Sequence, residues 1–328
     1  MQLLDLPPVE ESTTPPVRPL PFQPHPDLPF YRALGRTNLQ VSALGIGGGG
    51  GISSEDTLYA YGQGINYFFF SSDLHHFLYR SMADGLKQLC GRGARERENV
   101  VLATVTYNKS PEMAIAALFD QFAELEIDYI DVFFWGWVGQ EDGPALARCL
   151  DLSPDLRGRD AVYQRVVEEM FGASERLKRM GAVRYIGASF HDLALAQQWS
   201  NSSLLDVLMV RHNPAHRSAQ DKVLHPLSRQ PQRPGVVTFK STGSHTGPLW
   251  ESPPGLSEDM TPPSVPDLYR YSLSQPNVDL CLMGVENRAQ IDAAIAGIQQ
   301  GPLTPADQEA LNRYGDLHRH RHSLPLAQ

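Results

Sequence analysis

The sequence predicts a single-domain α/β protein, a (β/α)8 TIM barrel behind a proline-rich N-terminal extension, and three observations carry that expectation. From residue 31 onward, eight short apolar runs alternate with longer stretches of helical character. The runs are apolar throughout rather than alternating, as strands are when both faces of a sheet are covered. Each is followed by a helix-length segment, and such repetition closes into a parallel barrel. A doubly wound sheet is the alternative, but it would carry a glycine fingerprint running into a helix, with an acid about twenty residues on. The glycines at 47–51 lead instead to Ser53 and Ser54, as in a tight loop at a barrel mouth.

Residues 1–30 hold two Pro-Pro pairs together with Pro19, Pro21 and Pro24. Prolines remove backbone donors and favour polyproline conformations, so this segment is expected outside the core, with a ligand for an SH3-type partner as the alternative. The strands are expected at 41–47, 65–70, 99–105, 129–135, 183–189, 205–212, 236–240 and 278–283. Between them, residues 111–125 are rich in Ala, Leu and Glu with helical spacing of the apolar positions. Residues 166–180 read the same way and stop at Lys178, Arg179, Met180 and Gly181. The expected organisation is an extension over 1–30, a barrel over 31–315 and a peripheral tail over 316–328.

The 328 residues are 41% hydrophobic and 20% charged, which excludes a disordered chain or a coiled coil. Lys+Arg number 28 against 37 Asp+Glu, a formal net charge of −9, so no global field draws in nucleic acid or anionic lipid. Cys90, Cys149 and Cys281 are widely spaced, without the pairing of a disulfide framework or zinc knuckle. The acidic, proline-bearing start lacks the basic and apolar regions of a signal peptide, and no apolar run approaches the ~18 residues of a membrane span. A reduced, cytoplasmic protein is expected, with a small-molecule substrate, no nucleic-acid or membrane partner, and at most a homo-oligomeric assembly.

A barrel of this kind works at the C-terminal ends of its strands. The loop after the second strand carries Asp73, His75, His76 and Tyr79, which supply proton donors and acceptors; the two histidines read equally as catalytic groups or as an exposed pair. Asp73, His75 and His76 lie too close in sequence to hold a metal without a distant ligand, so no metal is expected. Trp135 and Trp137, with Phe69 and Tyr107, are expected to wall a pocket. Glu141, Asp142, His191, Asp192, His212, His216 and Lys240 also fall at strand ends, as acid/base or anion-holding groups or as loop and cap residues.

The string YRALGRTNLQVSALG at 31–45 resembles the opening of an aldo-keto reductase. GINYFF at 64–69, DYID at 128–131 and GAVRYIGAS at 181–189 resemble that family's second, fourth and fifth strands. PNV at 276–278, GVENRAQ at 284–290 and PLT at 302–304 resemble its last strand and cofactor-binding helix. The resemblance runs over residues 31 to 315 in order and implies the barrel.

It also implies a chemistry that the residues do not repeat. The family pairs a tyrosine acid with a lysine, an aspartate and a histidine. Aligned by motif, the aspartate falls at Phe69, the tyrosine near Leu74, the lysine at Val105 and the histidine at Gly136. Asp73 and Tyr79 are the stand-ins a short gap would supply, with His75 and His76 beside them. For the cofactor, the resemblance implies NADP(H). Ser189 would lie at the nicotinamide amide and Phe239 at its ring. Gly243, Thr246 and Gly247 would form the pyrophosphate strap, and Gly284, Asn287, Arg288 and Gln290 the adenosine end. Phe190, Met209 and Ala294 depart from the family's pattern. The expected function is an aldo-keto-reductase-like oxidoreductase acting on a carbonyl or heterocyclic compound through a divergent active site. A non-redox dehydratase or cyclase on the same barrel, and a catalytically inactive cofactor-binding pseudoenzyme, remain open.

Overall fold

The computed structural model describes residues 31–73, 79–138, 159–244, 247–252 and 261–320. Among them, eight parallel strands form a closed barrel: β1 (Leu44–Gly47), β2 (Tyr67–Ser71), β3 (Val101–Thr106), β4 (Ile130–Val138), β5 (Val183–Phe190), β6 (Val207–Arg211), β7 (Gly235–Phe239) and β8 (Leu280–Met283). Strand β8 pairs with both β1 and β7, which closes the ring. The expected eight runs and their order are the observed ones.

The alternation of each strand splits the apolar residues into two layers. Tyr67, Phe69, Val101, Ala103, Val105, Val132, Phe134, Val207, Met209, Val237, Leu280 and Leu282 fill the interior. Phe68, Phe70, Leu102, Phe133, Trp135, Ile186, Phe190, Leu208 and Cys281 point outward under the helices. A two-stranded hairpin, Tyr31–Ala33 with Gln40–Ser42, closes the N-terminal end, and Leu34, Leu39 and Val41 join the interior cluster as its plug.

The same end carries a device repeated around the ring. A carboxylate or amide at the start of each even strand accepts a backbone N–H from the odd strand before it or the turn leading into it. Asn66 Oδ1 accepts from Ser42 (2.8 Å), Asp131 from Leu102 (2.9 Å), Asp206 from Ile186 (3.0 Å) and Asp279 from Val236 (2.8 Å). The three acids are also ion-paired. Asp131 binds Arg97 (2.8 Å) and Arg184 (2.9 Å), Asp206 binds Lys178 (3.2 Å), and Asp279 binds Arg233 (2.6 Å). Buried carboxylates held this way have their charge met on several sides.

Outside the ring, α1 (Ser54–Gly62), α2 (Arg80–Cys90), α3 (Pro111–Leu125), α4 (Arg159–Arg179), α5 (Leu193–Ser200), α6 (Val265–Leu273), α7 (Arg288–Gln299) and α8 (Pro305–His320) follow in order. Ser110 caps α3 through Met113 N–H with proline in its first turn, and Glu126 ends it in the left-handed region. Several bounds differ from those read in the sequence: residues 41 and 42 of the first expected run belong to the closing hairpin, and β4 continues to Val138. Helix α4 begins at Arg159 rather than near 166. Helix α8 runs past 315 because Tyr314 and His318 are buried and Asp316 pairs with Arg217 (2.8 Å). Residues 1–30 and 321–328 lie outside the described residues.

Candidate active site

At the C-terminal end of the barrel, the side chains converge between β1, β2, β3 and β4. Asp73, just past β2, turns toward the end of β3. Its carboxylate accepts from Thr106 Oγ1 (2.5 Å) and from the backbone N–H groups of Tyr107 (3.1 Å) and Asn108 (3.2 Å). Three donors fix it as the organising anion of this corner. Asn108 Oδ1 accepts from Ser110 N–H, which joins the loop to the capped start of α3.

Two phenols stand at this corner, Tyr107 beside the carboxylate and Tyr79 beside Tyr107. Tyr79 precedes α2, and its ring lies over the glycine turn after β1: a Cβ at Gly48 would come within 2.8 Å of the ring, and the Tyr79 hydroxyl is 3.7 Å from where a Gly49 Cβ would sit. The bare glycines thus admit the aromatic side chain. Burial raises the Tyr79 phenol above its ordinary range, and burial, Tyr79 and Asp73 together raise that of Tyr107 further. Both are therefore neutral hydrogen-bond donors across ordinary pH.

Tyr107 also explains Gly136. A Cβ at Gly136 would overlap the Tyr107 ring and come within 2.9 Å of Val105 Cγ2. An aromatic ring from β3 occupies the volume that a side chain on β4 would need. Lys109 reaches the same place from the other side, its Nζ donating to the Gly136 carbonyl. Val105 itself is sealed in the interior, 1% exposed. Tyr107 and Lys109 are thus brought to the corner where the resemblance puts lysine and histidine. Lys109 went unread in the sequence because it lies beyond the strand end, where alternation stops.

The remaining sequence-selected residues divide clearly. Phe69 faces the interior edge-on to Phe134, with centroids 6.0 Å apart. Trp135 must be corrected: it is 1% exposed, turns outward, donates its indole N–H to Ser174 (2.8 Å) and packs against Phe133, so it supports α4 rather than walling a pocket. His212 must also be removed from the acid candidates. It is fully buried outside the barrel, stacked on Tyr271 and beside Ser272, and burial and Arg217 lower its pKa to about 3. His75, His76, Glu141, Asp142 and Thr246 lie outside the described residues, as does the side chain of Trp137.

For a dinucleotide, the two ends of the mouth differ. Ser189 continues the inward-facing set of β5, and Phe239 that of β7, with His191 edge-on to it at 6.0 Å. A short hairpin, Gly243–Ser244 with Gly247–Pro248, follows, and Gly247 takes a φ of 107° that favours glycine. These are the described residues at this end that could hold a nicotinamide and its diphosphate. At the other end, Asn287 caps α7 by accepting from Gln290 N–H (3.1 Å), and Gln290 accepts from Glu286 N–H (2.8 Å). Gly284 is open to solvent, beside the glycine turn at Gly50. Arg288 stacks over Tyr59 and is held by Asp56 (2.8 Å) and Glu55 (3.6 Å). A phosphate there would share its arginine with two carboxylates.

Residues 62–237 match the model of the Aldo/keto reductase family, more than half of the chain. This chain belongs to the aldo/keto reductase family. Among solved structures, the holo form of aldo-keto reductase AKR11C1 from Bacillus halodurans superposes with a TM-score of 0.62 at 19% identity, covering 88% of this chain and 99% of that one. The thermostable aldo-keto reductase Tm1743, in complex with the inhibitor epalrestat, gives 0.62 at 17% identity, covering 87% and 99%. Among curated proteins, none matches. Identities this low carry the fold and not the substrate. Among the described residues no helix is long and apolar enough to cross a membrane, and no group of three His, Cys, Asp or Glu is placed to hold a metal.

Proposed function

We propose that this chain reduces a small carbonyl compound with NADP(H), using Tyr79 as the proton donor in place of the family's usual arrangement. The observation that supports the reading best is the corner itself, where Asp73 and Tyr79 from the loop after β2 meet Tyr107 and Lys109 from the loop after β3. Bound NADPH would supply the hydride to the carbonyl carbon. The proton comes from Tyr79 Oη to the carbonyl oxygen, forming C–H and O–H bonds while the C=O π bond is lost. Tyr107, whose phenol is held neutral, donates a hydrogen bond toward the same oxygen. Asp73 fixes the backbone of Tyr107 and Asn108, and so the aim of that ring. Lys109 adds positive charge near the developing oxyanion, which the missing lysine on β3 would otherwise supply.

Ser189 and Phe239 would hold the nicotinamide, with the 243–247 hairpin across the diphosphate. The test is a titration of protein fluorescence with NADPH, followed by turnover of an aldehyde panel. Tyr79→Phe should cost on the order of 10²-fold in kcat with NADPH affinity unchanged. NADPH binding without turnover on any carbonyl would favour the inactive cofactor binder, a reading that the filled space at Gly136 supports. No NADPH binding would remove both.

A further inference from the structure

A second feature of the mouth lies outside that corner, where β5, β6 and the last turn of α8 meet. A cavity of about 110 Å³ there is lined by Phe190, His191, Leu193, Arg211, His216, Ser218 and Arg319. Arg211 continues the inward-facing set Val207 and Met209, so its stem starts at the rim of the barrel, in register with Phe239. Lys240 follows Phe239 with a φ of 54°, a conformation that costs a lysine backbone free energy. Asn213 holds it there by donating from Nδ2 to the carbonyls of Lys240 (2.8 Å) and Gly243 (3.0 Å).

The charges here are arranged against the rest of the molecule. The chain carries a net −9, yet Arg211, Lys240 and Arg319 gather at one rim. Their side chains make no ion pair or hydrogen bond among the described residues. Two acids of the adjoining helices are committed elsewhere: Asp192 caps α5 through Ala194 and Leu195 N–H, and Asp316 is paired with Arg217. Burial and the neighbouring cation lower both Arg211 and Lys240, Arg319 acting on the first and Arg211 on the second. Cations that repel one another beside a cavity are stabilised by an anion placed between them.

The geometry points to an anion pocket at this rim that binds the carboxylate or phosphate of an organic-acid substrate, with Arg211 and Arg319 as its ligands and Lys240 as a further positive charge beside Arg211. The inference rests on reading the mouth as a carbonyl-reducing site, and names its substrate class: an oxo-acid or a phosphorylated carbonyl compound, its reacting carbonyl directed toward Tyr79. The diphosphate of the dinucleotide is the other source of such an anion. It belongs beside the 243–247 hairpin, whereas this cavity is bounded by α5 and α8.

Calorimetric titration of the full chain with inorganic phosphate tests the pocket without requiring turnover. Saturable binding is expected, weakened at least about tenfold by Arg211→Gln and by Arg319→Gln, the loss expected for a charge-assisted hydrogen bond. The Arg229→Gln variant, on a distant surface, should bind as the wild type does. In the second arm, 4-oxobutanoate should displace phosphate and butanal should not. Phosphate binding that is absent, or indifferent to both arginines, overturns the pocket. Displacement by NADPH, or a parallel loss of NADPH affinity in Arg211→Gln, assigns it to the cofactor and overturns the substrate reading. Because displacement needs no redox step, a failure of the proposed reduction leaves this result readable.

Discussion

The two ends of the barrel are built on different logic. At the N-terminal end, four acceptors at the same position in successive strand pairs each take one backbone N–H, and three of them also neutralise arginine or lysine. At the C-terminal end no such repetition holds. Asp73 gathers donors from one loop, Tyr107 fills the space of a missing side chain, and three cations gather at the far rim without an ion pair among the described residues. One end pairs its buried acids with neighbouring strands and cations, while the other concentrates polar and charged groups at the strand ends. Stability and function are thereby separable by position, as barrels of this type allow.

Breaking the N-terminal device should produce the largest effect. Asp131→Ala strands Arg97, itself buried, together with Arg184 and the Leu102 N–H, and should cost about 3–5 kcal/mol of folding free energy in denaturant melts. At the mouth, Asp73→Asn should lose well under that in stability while lowering turnover. Equal destabilisation by the two substitutions would erase the distinction between the ends.

Next in size is the attempt to restore the family's own groups. Gly136→His must displace the Tyr107 ring, so it should cost about 1–3 kcal/mol, and Val105→Lys with Gly136→His should not yield ordinary reductase turnover. A double variant that reduces a generic aldehyde efficiently would show that Tyr107 is only a plug.

The smallest effect concerns the adenosine end. Glu55→Gln with Asp56→Asn should tighten NADPH severalfold relative to NADH, because Arg288 is released toward the extra phosphate. Arg288→Ala should erase that gain. A ratio unmoved in binding titrations would leave Arg288 as a surface tether of α7 to α1.

Much of the barrel could be read from residue order alone. The continuous apolar runs mark its strands, and Ser110 with Pro111 marks the start of α3 where it is found. Asp131, Asp206 and Asp279 stand near the starts of their apolar runs, but nothing in the sequence points to their partners, which come from other strands, helices and turns. The mouth resisted for a physical reason. Trp135 lies inside β4, where the alternation turns it outward, and its place near the end of an apolar run hides that; Lys109 lies beyond β3, where no period says that it reaches Gly136. A glycine gives no hint of which ring fills its missing volume. That knowledge sits in Tyr107, contributed by the neighbouring strand.

The pH dependence of kcat/KM for NADPH-driven aldehyde reduction tests the central claim most directly, because the candidate donors titrate in different ranges. Burial raises the Tyr79 phenol, so its proton-bearing form is fully present at neutral pH and is lost only as pH rises through that elevated value. The rate should therefore be flat from about pH 6 to 9. A histidine donor such as His76 would lose its proton as pH rises past about 6.5, and the rate would fall about tenfold per unit above it. A flat profile that Tyr79→Phe lowers about 10²-fold supports the rebuilt corner. A rate that declines through neutrality, with Tyr79→Phe fully active, would contradict it.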